Sequence, residues 1–554
     1  MKTRALLLVA LIALALPVWG EVPEALKARV PDDPQGRLAH ILKRGTLIVG
    51  VKDDYPPWGM VDPAPGSDAI VGIEPDLARD LADRLGVGLR LEKVTSGNRL
   101  GRVNQGLVDV VIATMGDTEV RRGQADLIQP NYYSSGVVVL GRTDQGITDW
   151  EQLRGQPVCL TQGAYFNRTL EETYGLKGQY FPGSREARLA LQYGRCVGWA
   201  FDDTALAQLV LAEPDPDFGV VVPTILNVPW AIAVARGEGD AQWGCFVSDM
   251  VGEWHASGRI LQLQETWQVG TTAFTRDLQA RWAATEDGRP LCARDPSTGA
   301  HPRDCLSQTA FAGTAPPADV PDWARRLHEI TGTDLSVLFD AYNRTRLMRG
   351  LGLTLALSAT AIAGALAVGI GFGLLDASLR GRGAFGRLLL LPLRGFIVLA
   401  RMTPPILQLY IVFFGIGGML ANADLIAPGA FVTAGVILSF YAGATNAVLL
   451  SHALAQERLT APEASALQLL PGAIRRSFDG LVAACVNIVK AAGMASAIAL
   501  AELISTVNLI VTEGGDARTL MNGLLVFYFL FVLAVLWLFR RANRWLGPAR
   551  GADA

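Results

Sequence analysis

Gly350-Leu-Gly-Leu-Thr-Leu-Ala-Leu-Ser-Ala-Thr-Ala-Ile-Ala-Gly-Ala-Leu-Ala-Val-Gly-Ile-Gly-Phe-Gly-Leu-Leu375 contains no ionisable side chain. A stretch of that length crosses a hydrocarbon layer as a single helix. Further apolar stretches follow near 385–400, 404–420, 428–452, 479–511 and 520–539. Before about residue 345 the chain reads differently, with charged helical patterns between short β-type runs. The solvent therefore changes partway along the polypeptide: a water-soluble α/β part precedes an all-α membrane part. A soluble part placed ahead of several spans suggests capture outside and delivery to a membrane pathway.

The 554 residues exceed one domain, and the net charge of −3 gives no reason to expect a nucleic-acid partner. Met-Lys-Thr-Arg4, the apolar run 5–16 and small residues at Val18 and Gly20 have the order of a secretory signal over residues 1–20. Export permits disulfides. Cys159 and Cys196 each sit in a strand-like run, and Cys292 and Cys305 flank a Pro/Gly/Asp-rich loop. Bridges 159–196 and 292–305 are expected, with Cys245 free, although sequence does not fix connectivity.

Charge placement sets the expected topology. Arg380, Arg382 and Arg387 follow the first span; Arg458, Arg475 and Arg476 lie between the 428–452 and 479–511 stretches; Arg540, Arg541, Arg544 and Arg550 follow the last. The loops Asn422-Ala-Asp424 and Glu513-Gly-Gly-Asp516 lack basic residues. Placing the arginine-rich loops in the cytoplasm gives about five spans, an outside N-terminal part and an inside C-terminus. This fits the inner membrane of a bacterium, with the N-terminal part in the periplasm. The 385–400 and 404–420 stretches, separated by Arg401-Met-Thr-Pro-Pro405, read as two spans or one broken span.

Arg401-Met-Thr-Pro-Pro-Ile-Leu-Gln-Leu409, ahead of Phe413-Phe-Gly415, resembles the Arg-Gly-Thr-Pro-Leu-Leu-x-Gln-Leu segment of polar amino-acid ABC transporter permeases. Gly350-Leu-Gly-Leu-Thr-Leu355 resembles their opening Gly-x-x-x-Thr-Leu, and Lys490 followed by Ala501-Glu-Leu503 is similar to a later stretch from which Asp-Thr-Ser is lost here. The resemblance assigns Arg401, Thr403, Pro404, Gln408, Lys490 and Glu502 to the permease motif. It also implies a separate ATPase subunit and a second permease, as homodimer or heterodimer, embedded in membrane lipid. The cytoplasmic Glu-Ala-Ala loop that docks the ATPase is represented only by Glu463-Ala464-Ser465, without the glycine that should follow. Pairing with a complete permease would accommodate that loss. No Gly-x-x-x-x-Gly-Lys-Ser/Thr phosphate loop occurs, so ATP hydrolysis belongs to another protein. Arg394 and Arg401 read as span-end residues that reach toward water, whereas Lys490 and Glu502 are too far apart to pair on one straight helix.

In the soluble part, Gly45-Thr-Leu-Ile-Val-Gly-Val51 and Val108-Asp-Val-Val-Ile-Ala113 are buried strands, and residues 74–85 alternate with helical period. This is an α/β pattern with a parallel-rich sheet, long enough for two hinged lobes. Val51-Lys-Asp-Asp-Tyr-Pro-Pro-Trp58, Gly72-Ile-Glu-Pro-Asp-Leu-Ala78, the 109–121 stretch, Pro130-Asn-Tyr-Tyr-Ser-Ser-Gly136 and Gly194-Arg-Cys-Val-Gly-Trp-Ala-Phe-Asp-Asp203 together resemble the extracytoplasmic amino-acid-binding proteins of ABC importers, solute-binding family 3. The resemblance implies a two-lobed periplasmic-binding-protein-like (type II) clamp at 37–270, with lobe 1 at about 37–137 and 225–270 and lobe 2 at about 138–224. An extracytoplasmic linker at 271–345 and a permease-like domain at 346–546 complete the expected organisation. Within the linker, residues 323–338 have the pattern of an amphipathic helix for the outer membrane face.

The resemblance also assigns roles. Arg121 matches the arginine that grips an α-carboxylate, for which a planar guanidinium suits bidentate contact. Thr114 and Gly116 lie on the same carboxylate stretch, and Gly163 falls in the loop whose backbone donors complete it. Asp203 matches the carboxylate for the α-ammonium, with Asp202 as its rival, and Tyr55 and Trp58 supply an apolar wall. Lys52, Ser96 and Arg99 match positions that hold a side-chain carboxylate, which implies an acidic ligand, with neutral polar amino acids as the alternative. A receptor built on a degenerate permease is the competing class. An ion channel is disfavoured because the spans all follow the clamp. Nothing in the sequence forms a catalytic or metal-ligand cluster, and no cofactor is expected.

Overall fold

The computed structural model describes residues 22–306, 320–380, 382–423 and 425–545; the expected signal segment lies outside them. The chain forms two compact units, Met1–Thr148 with Phe201–Gly313, and Asp149–Ala200 with Thr314–Ala554.

In the first unit, Gly45 ends the helix Gly36–Arg44 in a left-handed conformation, which releases the chain into the strand Thr46–Val51. Five of that strand's six residues are buried, as an inner parallel strand requires. It pairs in parallel with Gly88–Lys93 on one side and with Val110–Val111 on the other. The crossover helix Ile73–Leu85 buries Leu77, Ala78 and Leu81 and ends at left-handed Gly86. The long strand Asp126–Arg142 pairs antiparallel with Ile225–Val234, with Trp230 opposite Tyr133 and Val228 opposite Ser135. In the second unit Pro157–Thr161 lies parallel to Lys177–Phe181 and to the start of Gly198–Asp202. This is the two-lobed type II binding-protein fold, and a helical region follows it. The second lobe, expected over 138–224, is divided: residues 149–200 group with that helical region.

Both expected disulfides form. Cys159–Cys196 ties the strand Pro157–Thr161 to the turn before Gly198–Asp202, and Cys292–Cys305 closes a loop in the first unit, with Cα separations of 5.7 and 5.6 Å. Cys245 is a free thiol. Residues 273–305, within the stretch expected as linker, fold onto the first unit. The helix Ala273–Ala283 presents Leu278 and Trp282 to a cluster with Leu26, Ala256, Cys292 and Cys305, and the Trp282 indole N–H donates to Cys305 O at 3.1 Å. The polar loop chemistry of 287–302 masks an apolar anchor on either side of it.

Among the described residues four helices are long and apolar enough to cross a membrane: Ala341–Leu379, Ala430–Thr460, Phe478–Ile498 and Ala517–Arg544. The pair Leu388–Met402 and Pro405–Ala421 is apolar enough as well and is bent by 108°, the form of a broken span or a re-entrant loop. Pro404 and Pro405 remove two backbone donors at the bend. The Gln408 side-chain amide donates to Ala400 O and Thr403 O at 2.9 and 2.8 Å, so it satisfies carbonyls that the broken helix leaves open. Small buried residues, Ala361 and Ala365 on the first span and Ala442, Ala444 and Ala447 on the Ala430–Thr460 helix, permit close packing.

Buried carboxylates in this region are met by arginines or by backbone amides. Asp376 accepts from Arg380 and Arg394 at 2.6 and 2.9 Å and from Ser451. Arg394 is therefore committed to a neighbouring helix instead of only reaching outward; Arg401 is exposed. Between Lys490 and Glu502 the helix tightens to 3₁₀ over Ala492–Ile498 and breaks at Ala499, where φ is 59°. Glu502, fully buried, caps the helix Leu503–Thr512 by accepting from Ile504 and Ser505 N–H at 2.8 and 2.9 Å. After Glu463 and Ala464 a Ser465/Gln468 capping box starts the short helix Ala466–Arg476.

Trp282→Ala is expected to destabilise the first unit by about 3–5 kcal/mol, the usual cost of removing a buried tryptophan. Thermal unfolding of the soluble part should register this as a lowered midpoint; a linker residue would leave the midpoint unchanged.

Candidate functional site

Most of the expected ligand residues fall in the first unit, at the ends of strands that the fold brings together. Lys52 follows the strand Thr46–Val51 directly. It is 2% exposed, donates from Nζ to Ser96 Oγ at 2.8 Å, and lies 5.4 Å from the Tyr55 ring centre. Tyr55 Oη donates to Asp202 Oδ2 at 2.6 Å, and its ring packs on Phe201 with centres 5.0 Å apart. Arg99, also 2% exposed, donates to Ala113 O and to Thr114 O, the latter at 3.2 Å. Arg121 sits on the one-turn helix Glu119–Arg122, whose cap is Thr118. It is 4% exposed and donates from Nη1 to Gly116 O at 2.8 Å. Its neighbour Arg122 pairs with Asp117 at 2.6 and 2.8 Å. Two adjacent arginines are thus separated by role, with Arg122 bound to a carboxylate and Arg121 turned into the interior.

The two candidate carboxylates differ. Asp203 begins the helix Asp203–Ala212 and accepts from Ser135 Oγ at 2.6 Å and from Gly136 N–H at 3.2 Å. Asp202 ends the strand Gly198–Asp202 and faces Tyr55, with Lys52 and Arg99 close enough to act on its charge. Gly163 belongs to the second unit, where it follows the strand Pro157–Thr161 with φ 78°.

The burial of Glu74 and the partners of Trp58 come from packing that local sequence pattern does not carry. Glu74 is fully buried and accepts from Thr114 N–H at 2.6 Å and Tyr132 Oη at 2.5 Å. It falls one position after Ile73 on an amphipathic helix, where a solvated glutamate is the default. Trp58 packs on Tyr133 and Trp230 with ring centres 4.3 and 4.9 Å away. The indole nitrogens of Trp58 and Trp230 and the Tyr133 hydroxyl are buried and make no hydrogen bond. Three unused polar groups in one aromatic cluster are available to a polar guest, since buried donors ordinarily find acceptors.

Electrostatics follow from burial. Loss of water pushes the Glu74 carboxyl up to about 7 against the pull of its Tyr132 and Thr114 donors. It pushes Asp202 up to about 6 against its hydrogen bond from Tyr55. The same loss lowers Lys52 and brings Arg99 down to about 10. Lys52 and Arg99 lie close enough to Glu74 and Asp202 for each to act on the others' charge, while Arg121 is buried against Gly116 O and Asp203 is half-buried. Such a set can hold a zwitterion by offering one group of each sign. Among the described residues no group of three His, Cys, Asp or Glu side chains could hold a metal.

A two-lobed α/β fold with this balanced set of buried charges defines a capture domain for small polar solutes. Residues 47–270 match the bacterial extracellular solute-binding proteins, family 3. A glutamine-binding protein of Geobacillus stearothermophilus is 30% identical over 205 residues, covering 36% of this chain and 76% of that protein. An L-glutamate/L-aspartate-binding protein of Pseudomonas aeruginosa is 25% identical over 250 residues, 43% of this chain and 82% of the relative. The solved structure of holo ArgBP from T. maritima is 28% identical and covers 42% of this chain and 99% of that one, with a TM-score of 0.37. The chain belongs to the bacterial extracellular solute-binding proteins, family 3.

Asp202 and Glu74 hold their protons more tightly in the folded chain than at the ordinary values of 3.8 and 4.5. Their contribution to stability is therefore fullest below about pH 4 and is lost as pH rises through about 6 and 7. Asp202→Asn is expected to raise the unfolding free energy at pH 8 by on the order of 2 kcal/mol while changing little at pH 4. Denaturant unfolding at the two pH values checks the sign.

Proposed function

We propose that this chain is the capture and permease subunit of an ABC importer for a polar amino acid. The observation that supports it most is the presence of buried groups of opposite sign, Arg121 and Asp202, on one unit. In this reading Arg121 takes the α-carboxylate, assisted by the 114–116 backbone of the same unit. Asp202 takes the α-ammonium in preference to Asp203, whose oxygens are already engaged by Ser135 and Gly136. Tyr55 orients Asp202, and Trp58 with Trp230 and Tyr133 forms the wall.

The side-chain preference turns on Lys52, Ser96 and Arg99. Arg99 is committed to two backbone carbonyls and lies beside Glu74, and Lys52 is committed to Ser96. With the buried charges matched, an uncharged polar side chain fits without leaving an extra carboxylate to neutralise. Glutamate or aspartate is the competing reading, favoured by the Lys52–Ser96 pair itself.

The membrane part then supplies the path. The basic loops face the cytoplasm, the C-terminus is inside, and the capture part lies in the periplasm of a bacterial inner membrane. A separate ATPase docks at the Glu463–Ala464 turn and the helix after it, and a second permease completes the pore. Arg401, Thr403, Pro404 and Gln408 maintain the bend of the broken span, and Lys490 and Glu502 flank the second break. A receptor that captures the same ligand without moving it is the rival class, supported by the missing glycine after Glu463.

Calorimetry on the purified full chain, run against the common amino acids, tests the capture step. One polar class should bind, and Arg121→Ala should weaken it roughly 100-fold or more, because a buried charge loses its partner. Affinity should also fall as pH drops below about 6, because Asp202 must release its proton to accept an ammonium. Unchanged binding by Arg121→Ala would sink the assignment. Lys52→Ala should hurt glutamate far more than glutamine only if the acidic reading is right.

A further inference from the structure

Within the second unit, residues 149–200 meet the membrane helices along one continuous face. Arg168 pairs with Asp340 at 2.7 Å, just before the first span, and its guanidinium lies 4.6 Å from the Tyr342 ring centre. Tyr342 Oη donates to Glu171. Arg346 pairs with Glu513 at 2.6 Å and stands 5.6 Å from the centre of the Tyr180 ring. These contacts gather at the start of the helix Ala341–Leu379 and reach Glu513.

The centre of the face is different in kind. The turn Tyr193-Gly-Arg195 precedes Cys196, whose bridge to Cys159 anchors it to the sheet. From this turn the Arg195 guanidinium donates to Phe413 O, from Nε at 3.1 Å and also from Nη2, and to Pro428 O from Nη1 at 3.2 Å. Its plane lies 4.1 Å from the centre of the Phe413 ring. Phe413 belongs to the π-helical turn Ile411–Ile416 of the bent pair, and Pro428 precedes the helix Ala430–Thr460. One side chain therefore bridges the broken span and its successor, at backbone oxygens that irregular helix geometry exposes.

The membrane side is shaped to receive it. Gly417 and Gly418 follow the π turn. A Cβ on Gly417 would collide with the Arg195 guanidinium, and one on Gly418 would come within 2.5–2.8 Å of Cδ1, Cγ and Cβ of Tyr193. Neither glycine has a positive φ, so backbone conformation does not require them. What excludes a larger residue at both is the approach of the turn.

We infer that the disulfide-anchored turn Tyr193–Arg195 is a plug, and Gly417–Gly418 with the carbonyls of Phe413 and Pro428 its seat. The plug holds the 149–200 lobe on the chain's own membrane half whether or not a ligand is bound. It makes this lobe a standing part of the permease instead of a partner that docks transiently. It also ties the bend of the broken span to the position of the lobe. This inference does not rest on the ligand being an amino acid.

The test uses the full chain in membrane vesicles, with a protease site inserted between residues 306 and 320. After cleavage, only non-covalent contact retains the N-terminal fragment, and the washed pellet reports how much remains. The parent chain should stay bound. Arg195→Ala, which alters only the plug, and Gly418→Trp, which alters only the seat, should each weaken retention at least about tenfold, given the strength of hydrogen bonds from a charged donor. An intact Cys159–Cys196 bridge in the released fragment shows that the lobe itself is folded. Release of the parent fragment on cleavage, or retention of either variant at the parent level, overturns the inference.

Discussion

A charged group taken out of water needs donors or a counter-charge close by, because desolvation costs several kcal/mol for each ion. Every functional position of this chain is arranged around that cost. In the first unit Glu74, Asp202, Lys52 and Arg99 share one interior, and none is satisfied by a single simple ion pair. Glu74 accepts from a backbone amide and a tyrosine, Asp202 from Tyr55, and Arg99 donates to two carbonyls. A zwitterion entering such a site replaces water with fixed groups of both signs. The elevated proton affinities of Glu74 and Asp202 are the residue of a desolvation cost that the protein alone does not fully offset.

The same constraint recurs among the membrane helices in another form. Asp376 is matched by two arginines, and Glu502 by the amides at the start of its own helix. Where proline breaks a span, Gln408 takes up the exposed carbonyls from within, and where the π turn exposes Phe413 O, Arg195 reaches it from the soluble lobe. The irregular segments of the membrane part are the places where polar groups from elsewhere in the chain are drawn in.

The long apolar helices and the strand–helix alternation were legible because hydrophobic periodicity is a local signal. The cysteine pairs were legible for a similar reason, since each sits in a recognisable strand or loop. Three features depend on long-range packing and carry no local signature. Residues 273–305 read as linker because Pro, Gly and Asp dominate the loop, while the anchors Trp282, Cys292 and Cys305 act only once Leu26 and Ala256 are beside them. Asp202 and Asp203 are adjacent in sequence and separable only by direction: one ends a strand toward Tyr55, and the other starts a helix against Ser135. Glu74 looks like a surface glutamate until Tyr132 closes over it. Lys52 and Ser96 are joined by a hydrogen bond, while Arg99 donates to the Ala113 and Thr114 carbonyls, a difference set by long-range packing.

Capture and passage on one polypeptide is the central claim, and uptake measures it most directly. Right-side-out membrane vesicles carrying the full chain and its ATPase would be loaded with ATP and offered a labelled amino acid of the class that binds. ATP-dependent accumulation that disappears with Arg121→Ala is the expected result. Firm capture of the amino acid with no accumulation, in vesicles whose ATPase is bound and active, would contradict it and make the chain a receptor.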